Sequence, residues 1–236
     1  RYKDKVNIIK YKNNFTHHAT AKADILNKMC RESKYFEEGN FLWILDGDEF
    51  YPQKSIEYIK DLLQKSGSNY NQFCIEEKYF YLNFKYYLLG EHYRIFRIEK
   101  ESVESPEEFC FYPTQNWRVN HKRIFTVKRQ LGMFHYGGLT NPWVKPVFWD
   151  IEYPSYSKPQ NKKIEWFNKI FLNYDVERPQ KWLKLNEQLF GIRSPWFSDS
   201  FIPDSRGNLF RYDGDHPKYV QHLVEIIKDS RTYYGR

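Results

Sequence analysis

Phe41-Leu42-Trp43-Ile44-Leu45-Asp46-Gly47-Asp48-Glu49-Phe50 is the stretch on which the reading of the fold turns. Five apolar residues lead straight into three carboxylates within four positions. A short unbroken apolar run reads as a strand buried on both faces, the pattern of a parallel sheet. Ligands of open α/β sheets gather beyond the carboxyl ends of the strands, which is where these acids fall. Acids this close repel one another unless a positive group sits among them. A divalent ion that also carries phosphate oxygens meets that need, so the stretch reads as a metal–nucleotide site. Asp46 and Asp48, two positions apart, are the carboxylates able to converge where the strand opens into a loop.

The chain contains its own control. Asp213-Gly214-Asp215 repeats the tripeptide, but no apolar strand precedes it and His216-Pro217 follows. That copy reads as a turn leading into a helix start, because Asp and Gly favour turns and Pro favours the first helical positions.

Outward from the acidic stretch the pattern alternates. Residues 6–11 read as a strand, and 19–36 as a helix with Ile25, Leu26, Met29, Cys30 and Phe36 on one side. Residues 41–45 read as a strand, and about 55–64 as a helix whose buried face holds Ile56, Ile59, Leu62 and Leu63. Strand, helix, strand, helix is the order of an α/β sheet domain. Residues 73–82, 93–98 and 121–128 are strand-like, with no clear helix between them, so antiparallel pairing is expected there. From residue 141 onward the chain reads as helical and irregular, with helices at 162–172 and 179–190, a loop over 194–215, and a last amphipathic helix carrying Val220, Leu223, Val224 and Ile227. Residues 1–140 therefore read as the core and 141–236 as its helical, loop-rich extension.

The 236 residues suffice for a substantial core. Aromatics make up 19%, and their faces serve both cores and stacking on sugars or bases, so this excess alone selects no partner. A net charge of +7 suits anionic or phosphorylated substrates and an anionic membrane surface. The basic residues form no stripe of the kind that binds nucleic acid. Cys30, Cys74 and Cys110 are far apart and odd in number, which points to a reducing, cytoplasmic setting.

Several pieces in order resemble a glycosyltransferase of the GT-A type, similar to the large family 2 group. A helix carrying Asn27 precedes Trp43-Ile44-Leu45-Asp46-Gly47-Asp48-Glu49-Phe50, which is similar to that family's acidic signature. Then come Tyr93-Arg94-Ile95-Phe96-Arg97, Trp117, His121, Phe134-His135-Tyr136-Gly137 with Lys145 following, and Gly214-Asp215-His216-Pro217 before the last helix. The resemblance covers roughly residues 5–230. It implies a three-layer α/β/α fold with a mixed, mostly parallel central sheet and a helical C-terminal region. It also implies that a base-gripping strand and loop stand before Arg1 in the whole protein.

The resemblance implies roles as well. Asp46 lies near ribose and metal, Asp48 binds Mn²⁺ or Mg²⁺ directly, and His135 completes the shell or serves as a hydrogen-bonded structural residue. Asn27, Asp46, Arg94 and Arg97 belong to the sugar-nucleotide pocket. Arg94 and Arg97, three apart on a strand, face opposite ways, so at most one points at the site. Trp117 and Tyr136 stack under an acceptor sugar or pack in the core. An inverting transfer needs a carboxylate to take the acceptor proton. Many relatives carry Glu just after the residue matching His121, where this chain has Lys122. Glu91, Glu49 and Asp150 are the remaining candidates, Glu91 preferred. The implied partners are a nucleoside-diphosphate sugar and a glycan or lipid-linked acceptor, with association at the inner membrane face allowed. Two other classes use the same features. They are a Mg²⁺-dependent phosphotransferase or phosphohydrolase and a non-enzymatic carbohydrate-binding domain.

Overall fold

The computed structural model describes residues 18–66, 69–81, 83–104, 110–111, 116–117, 123–139, 165, 168–169, 173, 178–190 and 209–226. These residues form a mixed α/β structure. In chain order it comprises α1 (His18–Glu32), β1 (Phe41–Trp43), β2 (Glu49–Phe50), α2 (Gln53–Ser66), β3 (Gln72–Tyr81), β4 (Tyr86–Arg97) and α3 (Lys100–Glu104). It continues through β5 (Cys110–Phe111), β6 (Asn116–Trp117), β7 (Ile124–Val127), β8 (Met133–Gly138), α4 (Pro179–Phe190), β9 (Phe210–Arg211) and α5 (Gln221–Ile226).

The main sheet has the order β1-β4-β3-β8-β2, with β7 on β3 and β9 on β4. Among the described pairings, β3–β8 is parallel, whereas β1–β4, β2–β8 and β4–β9 are antiparallel. The sheet is therefore mixed, as expected, but the mostly parallel character is not seen. The apolar run at 41–45 is also not a strand buried on both faces. Only Phe41–Trp43 is strand, each residue is half-buried, and it runs antiparallel to β4 at one end of the described strand order. Leu45, which the run places in the core, is exposed. The physical reason is position: a strand with one described neighbour does not need the all-apolar composition of a central parallel strand.

The chain divides into two compact units. The first comprises Arg1–Ile44, Ser66–Phe73 and Tyr93–Phe125. Its described core packs Ala23, Leu26 and Cys30 of α1 against Leu42, Ile44 and Phe96, with Phe36 beside them. Leu26 and Cys30 pack as expected, but Met29 is exposed, Ala23 takes the remaining place on the face, and the helix ends at Glu32, so Phe36 packs from beyond it. Phe73 adds edge contacts to Phe41 and Tyr70.

The second unit comprises Leu45–Lys65, Cys74–His92 and Thr126–Arg236. One face of its strands carries an aromatic core of Phe80, Phe84, Tyr87, Phe134 and Tyr136, closed by Val220 and by Phe50, Phe210, Tyr212 and Val224. Phe80 is fully buried and stacks on Phe134 at 5.8 Å and on Tyr136 at 5.1 Å. Truncating a buried Phe removes its transfer energy and leaves a cavity. Phe80→Ala therefore lowers the stability of this unit by about 3–5 kcal/mol, read from the chemical-denaturation midpoint. A midpoint unchanged within error would contradict this account of the core.

The repeated tripeptide behaves as a turn. Asp213 accepts from Arg211 Nε at 2.7 Å, and the Asp215 carbonyl accepts from the Tyr212 hydroxyl at 2.7 Å. The strand expected at 6–11, most of the helix expected at 162–172 and most of the loop expected at 194–215 lie outside the described residues. So do His121, Lys122, Lys145 and Asp150, and the boundary expected after residue 140 falls at the edge of such a stretch. Among the described residues, no helix is long and apolar enough to cross a membrane.

Candidate metal centre

The opposite face of the same strands carries the site, and alternation explains which residues reach it. In β8, Phe134 and Tyr136 join the aromatic core, so His135 points the other way. Register sets its neighbours: Tyr79 of β3 and Glu49 of β2 are its direct partners across the ladders. Tyr79 meets the His135 ring edge-on at 4.6 Å. Glu77, one alternation before Tyr79, accepts from His135 Nδ1 at 2.8 Å. His92 of β4 approaches the other Glu77 oxygen with Nε2 at 3.2 Å. Glu77, His92 and His135 thus form a group whose ligand atoms lie within 4.8 Å of one another and could hold a metal ion.

Asp48 completes the arrangement from the acidic loop. Its carbonyl accepts from Tyr136 N–H at 2.9 Å, which ties the loop to β8. Its carboxylate then lies 3.5 Å from His135 Nε2. The His135 ring is therefore bracketed by Glu77 on one nitrogen and Asp48 on the other. Carboxylate oxygen with imidazole nitrogen is a donor set that suits Mn²⁺ better than Mg²⁺. The residues present fit a divalent transition ion.

Electrostatics follow from the contacts. Burial alone would push the Glu77 carboxyl upward, but hydrogen bonds and charge from His135 and His92 outweigh it and hold Glu77 well below the usual carboxylate range. For His135, burial pulls downward, while hydrogen bonds to Asp48 and Glu77 and their negative charges lift the imidazole to about 9. Without a cation, the buried carboxylate therefore keeps its neighbour charged.

Gly90 provides the room for Glu77. It precedes His92 by one alternation, and a Cβ built there would collide with Glu77 Oε1 and press on its Cγ at 3.0 Å. Gly90→Ala is accordingly expected to cost on the order of 1–3 kcal/mol, the range of forced overpacking. Removing the obstructing side chain tests this directly. In the double variant Gly90→Ala/Glu77→Ala, the penalty of the Gly90 change shrinks by at least 1 kcal/mol, a coupling of the size that touching residues show. Additive penalties in a denaturation double-mutant cycle would contradict the steric account.

Asp46 is half-buried, and its N–H donates to Glu49 Oε2 at 3.4 Å, while its carbonyl accepts from Glu49 N–H at 3.1 Å. Buried Glu49 thus braces the acidic turn. Glu91 faces away from His92, as alternation requires, and hydrogen-bonds to Cys74, whose thiol is pushed up to about 12 by burial first and Glu91 second. Tyr136 lies in the aromatic core, and its hydroxyl donates to His216 Nδ1 at 2.9 Å, while His216 Nε2–H donates to the Phe84 carbonyl at 2.9 Å. The His-Pro pair thus anchors the strand that carries His135. Asn27 is buried on α1, and Arg94 is buried and Arg97 half-buried on β4, all within the first unit. Trp117 lies on β6, with its side chain outside the described residues.

Sequence reading missed Glu77 and His92. A signal existed for Glu77: it occupies the apolar phase of a strand, in line with Phe73, Ile75 and Tyr79, all of them buried. A charge at such a position calls for a partner. In comparisons with models of protein families, with curated proteins and with solved structures, nothing matches this chain.

Proposed function

We propose that this chain is a metal-dependent glycosyltransferase of the GT-A type. It moves a sugar from a nucleoside-diphosphate donor to a saccharide or lipid-linked acceptor. The observation that carries the reading is the 3.5 Å approach of Asp48, a ligand by the resemblance, to His135, for which the resemblance leaves a ligand or a structural role, the two being far apart in sequence. A further support is the half-exposed Asp48 side chain, which leaves the acidic loop reachable by a diphosphate. A cation bound there would offset charge developing on the departing nucleoside diphosphate. Around it Asp48 and His135 supply ligand atoms, Glu49 holds the acidic turn closed, and Glu77 orients the His135 ring. Glu49 is a positioning residue in this reading, and Glu91, on the opposite face of β4 from His92, hydrogen-bonds to Cys74.

The test is a panel of sugar nucleotides offered to the full-length protein with Mn²⁺. Release of the nucleoside diphosphate, abolished by chelation and restored by Mn²⁺, is the expected result. Absence of release and of binding across UDP- and GDP-sugars would remove the assignment. One observation favours a second reading. Glu77, His92 and His135 supply one carboxylate and two imidazoles, a donor set also used by hydrolytic zinc centres. Metal-dependent release of inorganic phosphate from simple esters, without any sugar nucleotide, would favour that phosphohydrolase.

A further inference from the structure

The metal-capable side chains offer two different seats for one ion. One is the pocket enclosed by Glu77, His92 and His135. The other is the gap between Asp48 and the Nε2 of His135. The second seat is the one that the proposed function already uses; we propose that Glu77, supported by His92, is the positioning residue that turns His135 toward it. This rests on the reading of the chain as a metal-dependent transferase and names how its metal is held.

Spacing is the first argument. Ligand atoms about 2.0–2.2 Å from a common ion stand about 3–3.5 Å apart at ordinary coordination angles. Asp48 Oδ2 and His135 Nε2 are 3.5 Å apart and accept an ion between them without moving. Glu77 Oε2 and His135 Nδ1 are 2.8 Å apart, a hydrogen-bond distance with the proton in place.

Each Glu77 oxygen already serves an imidazole: Oε2 takes Nδ1–H of His135 and Oε1 takes Nε2–H of His92. An ion in the enclosed pocket would displace both hydrogen bonds. An ion on Nε2 keeps them, because a histidine ligand commonly gives its other N–H to a carboxylate, which fixes tautomer and ring orientation.

Access is the third argument. An ion that bridges a diphosphate needs open coordination positions. The Glu77 side chain is 4% exposed, whereas that of Asp48 is 44% exposed. Gly90 has no Cβ to spare above the Glu77 carboxylate, and the Tyr79 ring edge closes on His135. The chain has spent its space on holding Glu77 still, not on admitting substrate.

The experiment titrates the full-length protein with Mn²⁺ alone and follows free Mn²⁺ by electron paramagnetic resonance. Asp48→Asn is expected to weaken binding at least 100-fold. Glu77→Gln, which keeps the shape but cannot accept from both imidazoles, is expected to weaken it roughly 10–100-fold. His92→Asn is expected to weaken it less than tenfold. Binding that survives Asp48→Asn but is abolished by His92→Asn and Glu77→Gln would place the ion in the enclosed pocket and overturn the proposal. So would full affinity in Glu77→Gln, or no binding by the unaltered protein up to millimolar Mn²⁺. If Glu77→Gln fails to fold, imidazole ¹⁵N spectra of the unaltered protein with Cd²⁺ decide alone. His135 should be ligated through Nε2 with Nδ1 still protonated and His92 unligated. Ligation through Nδ1 or through His92 overturns the proposal. Neither measurement uses a sugar donor, so intact Mn²⁺ binding without any turnover would strike the transferase reading and leave the metal seat standing.

Discussion

Replacing Asp48 with alanine is expected to abolish the proposed metal-dependent turnover, by a factor of about 10³ or more, while leaving the fold intact. The two halves of that expectation rest on different atoms of one residue. The backbone carbonyl of Asp48 holds β8 through the Tyr136 N–H, and alanine keeps that bond. The side chain is half-exposed and packs no core, so its removal leaves the fold standing and costs about 1 kcal/mol, the worth of a half-exposed contact to a charged imidazole. What disappears is the carboxylate facing His135 Nε2 and, in the proposed function, the charge that anchors the ion. An ion stabilising a departing diphosphate supplies several kcal/mol in the transition state. Loss of about 4 kcal/mol is a factor of about 10³ in rate. The measurement is nucleoside-diphosphate release at saturating donor and Mn²⁺, with circular dichroism to confirm folding. Asp213→Ala, in the other Asp-Gly-Asp, is the matched control. Its carboxylate pairs with Arg211 in an exposed turn, and its loss leaves turnover unchanged. Normal turnover in Asp48→Ala would remove the acidic loop from the chemistry.

That contrast between two identical tripeptides was legible in the sequence, because strand context and turn context differ in the residues around them. The helices were legible for a similar reason: apolar residues at 26 and 30 or at 59, 62 and 63 share a face whatever they pack against, although Met29, expected on the first of these faces, is exposed. Asp48 and His135 were both reachable by resemblance. Their proximity was not, since it depends on β2 lying antiparallel to β8 with Glu49 opposite His135. Glu77 and His92 were hidden by the same limitation. Glu77 stood out only as a charge in the apolar phase of its strand, and only the pairing of β3 with β8 and the order β4-β3-β8 set it and His92 around one imidazole. Gly90 is the clearance for a carboxylate thirteen positions earlier in the chain, a role that no local pattern announces. The reading of residues 41–45 as a central parallel strand failed because an apolar run states only that burial is affordable, not that it occurs on both sides. Leu45 emerges on the exposed side.

Between pH 6 and pH 8, affinity for Mn²⁺ rises on the order of 100-fold while the metal-free protein loses stability. Both slopes come from one proton on His135. Its folded value, lifted to about 9, lies above the ordinary imidazole value, so below about pH 9 the metal-free protein holds a proton there. An ion that needs Nε2 must expel it, and one proton released per ion gives about tenfold in affinity per pH unit. Stability runs the other way. A raised folded value means that the native chain binds more protons than the unfolded one between about 6.5 and 9, so stability falls as pH rises through that window. The contribution is fully present below about pH 6.5 and gone above about pH 9, a loss on the order of a few kcal/mol. Glu77 adds the opposite limb. Its lowered value contributes stability above the usual carboxylate range, and this is lost only as pH falls through the folded value. Metal-free protein should therefore be most resistant to urea near pH 5–6, and metal binding weakest where that resistance is greatest. His135→Gln keeps a neutral side chain at every pH and should flatten the alkaline limb of the urea midpoint. If the midpoint of that variant falls between pH 6.5 and 9 as steeply as that of the unaltered protein, the proton resides elsewhere. The carboxylates around His135 then do not hold it charged.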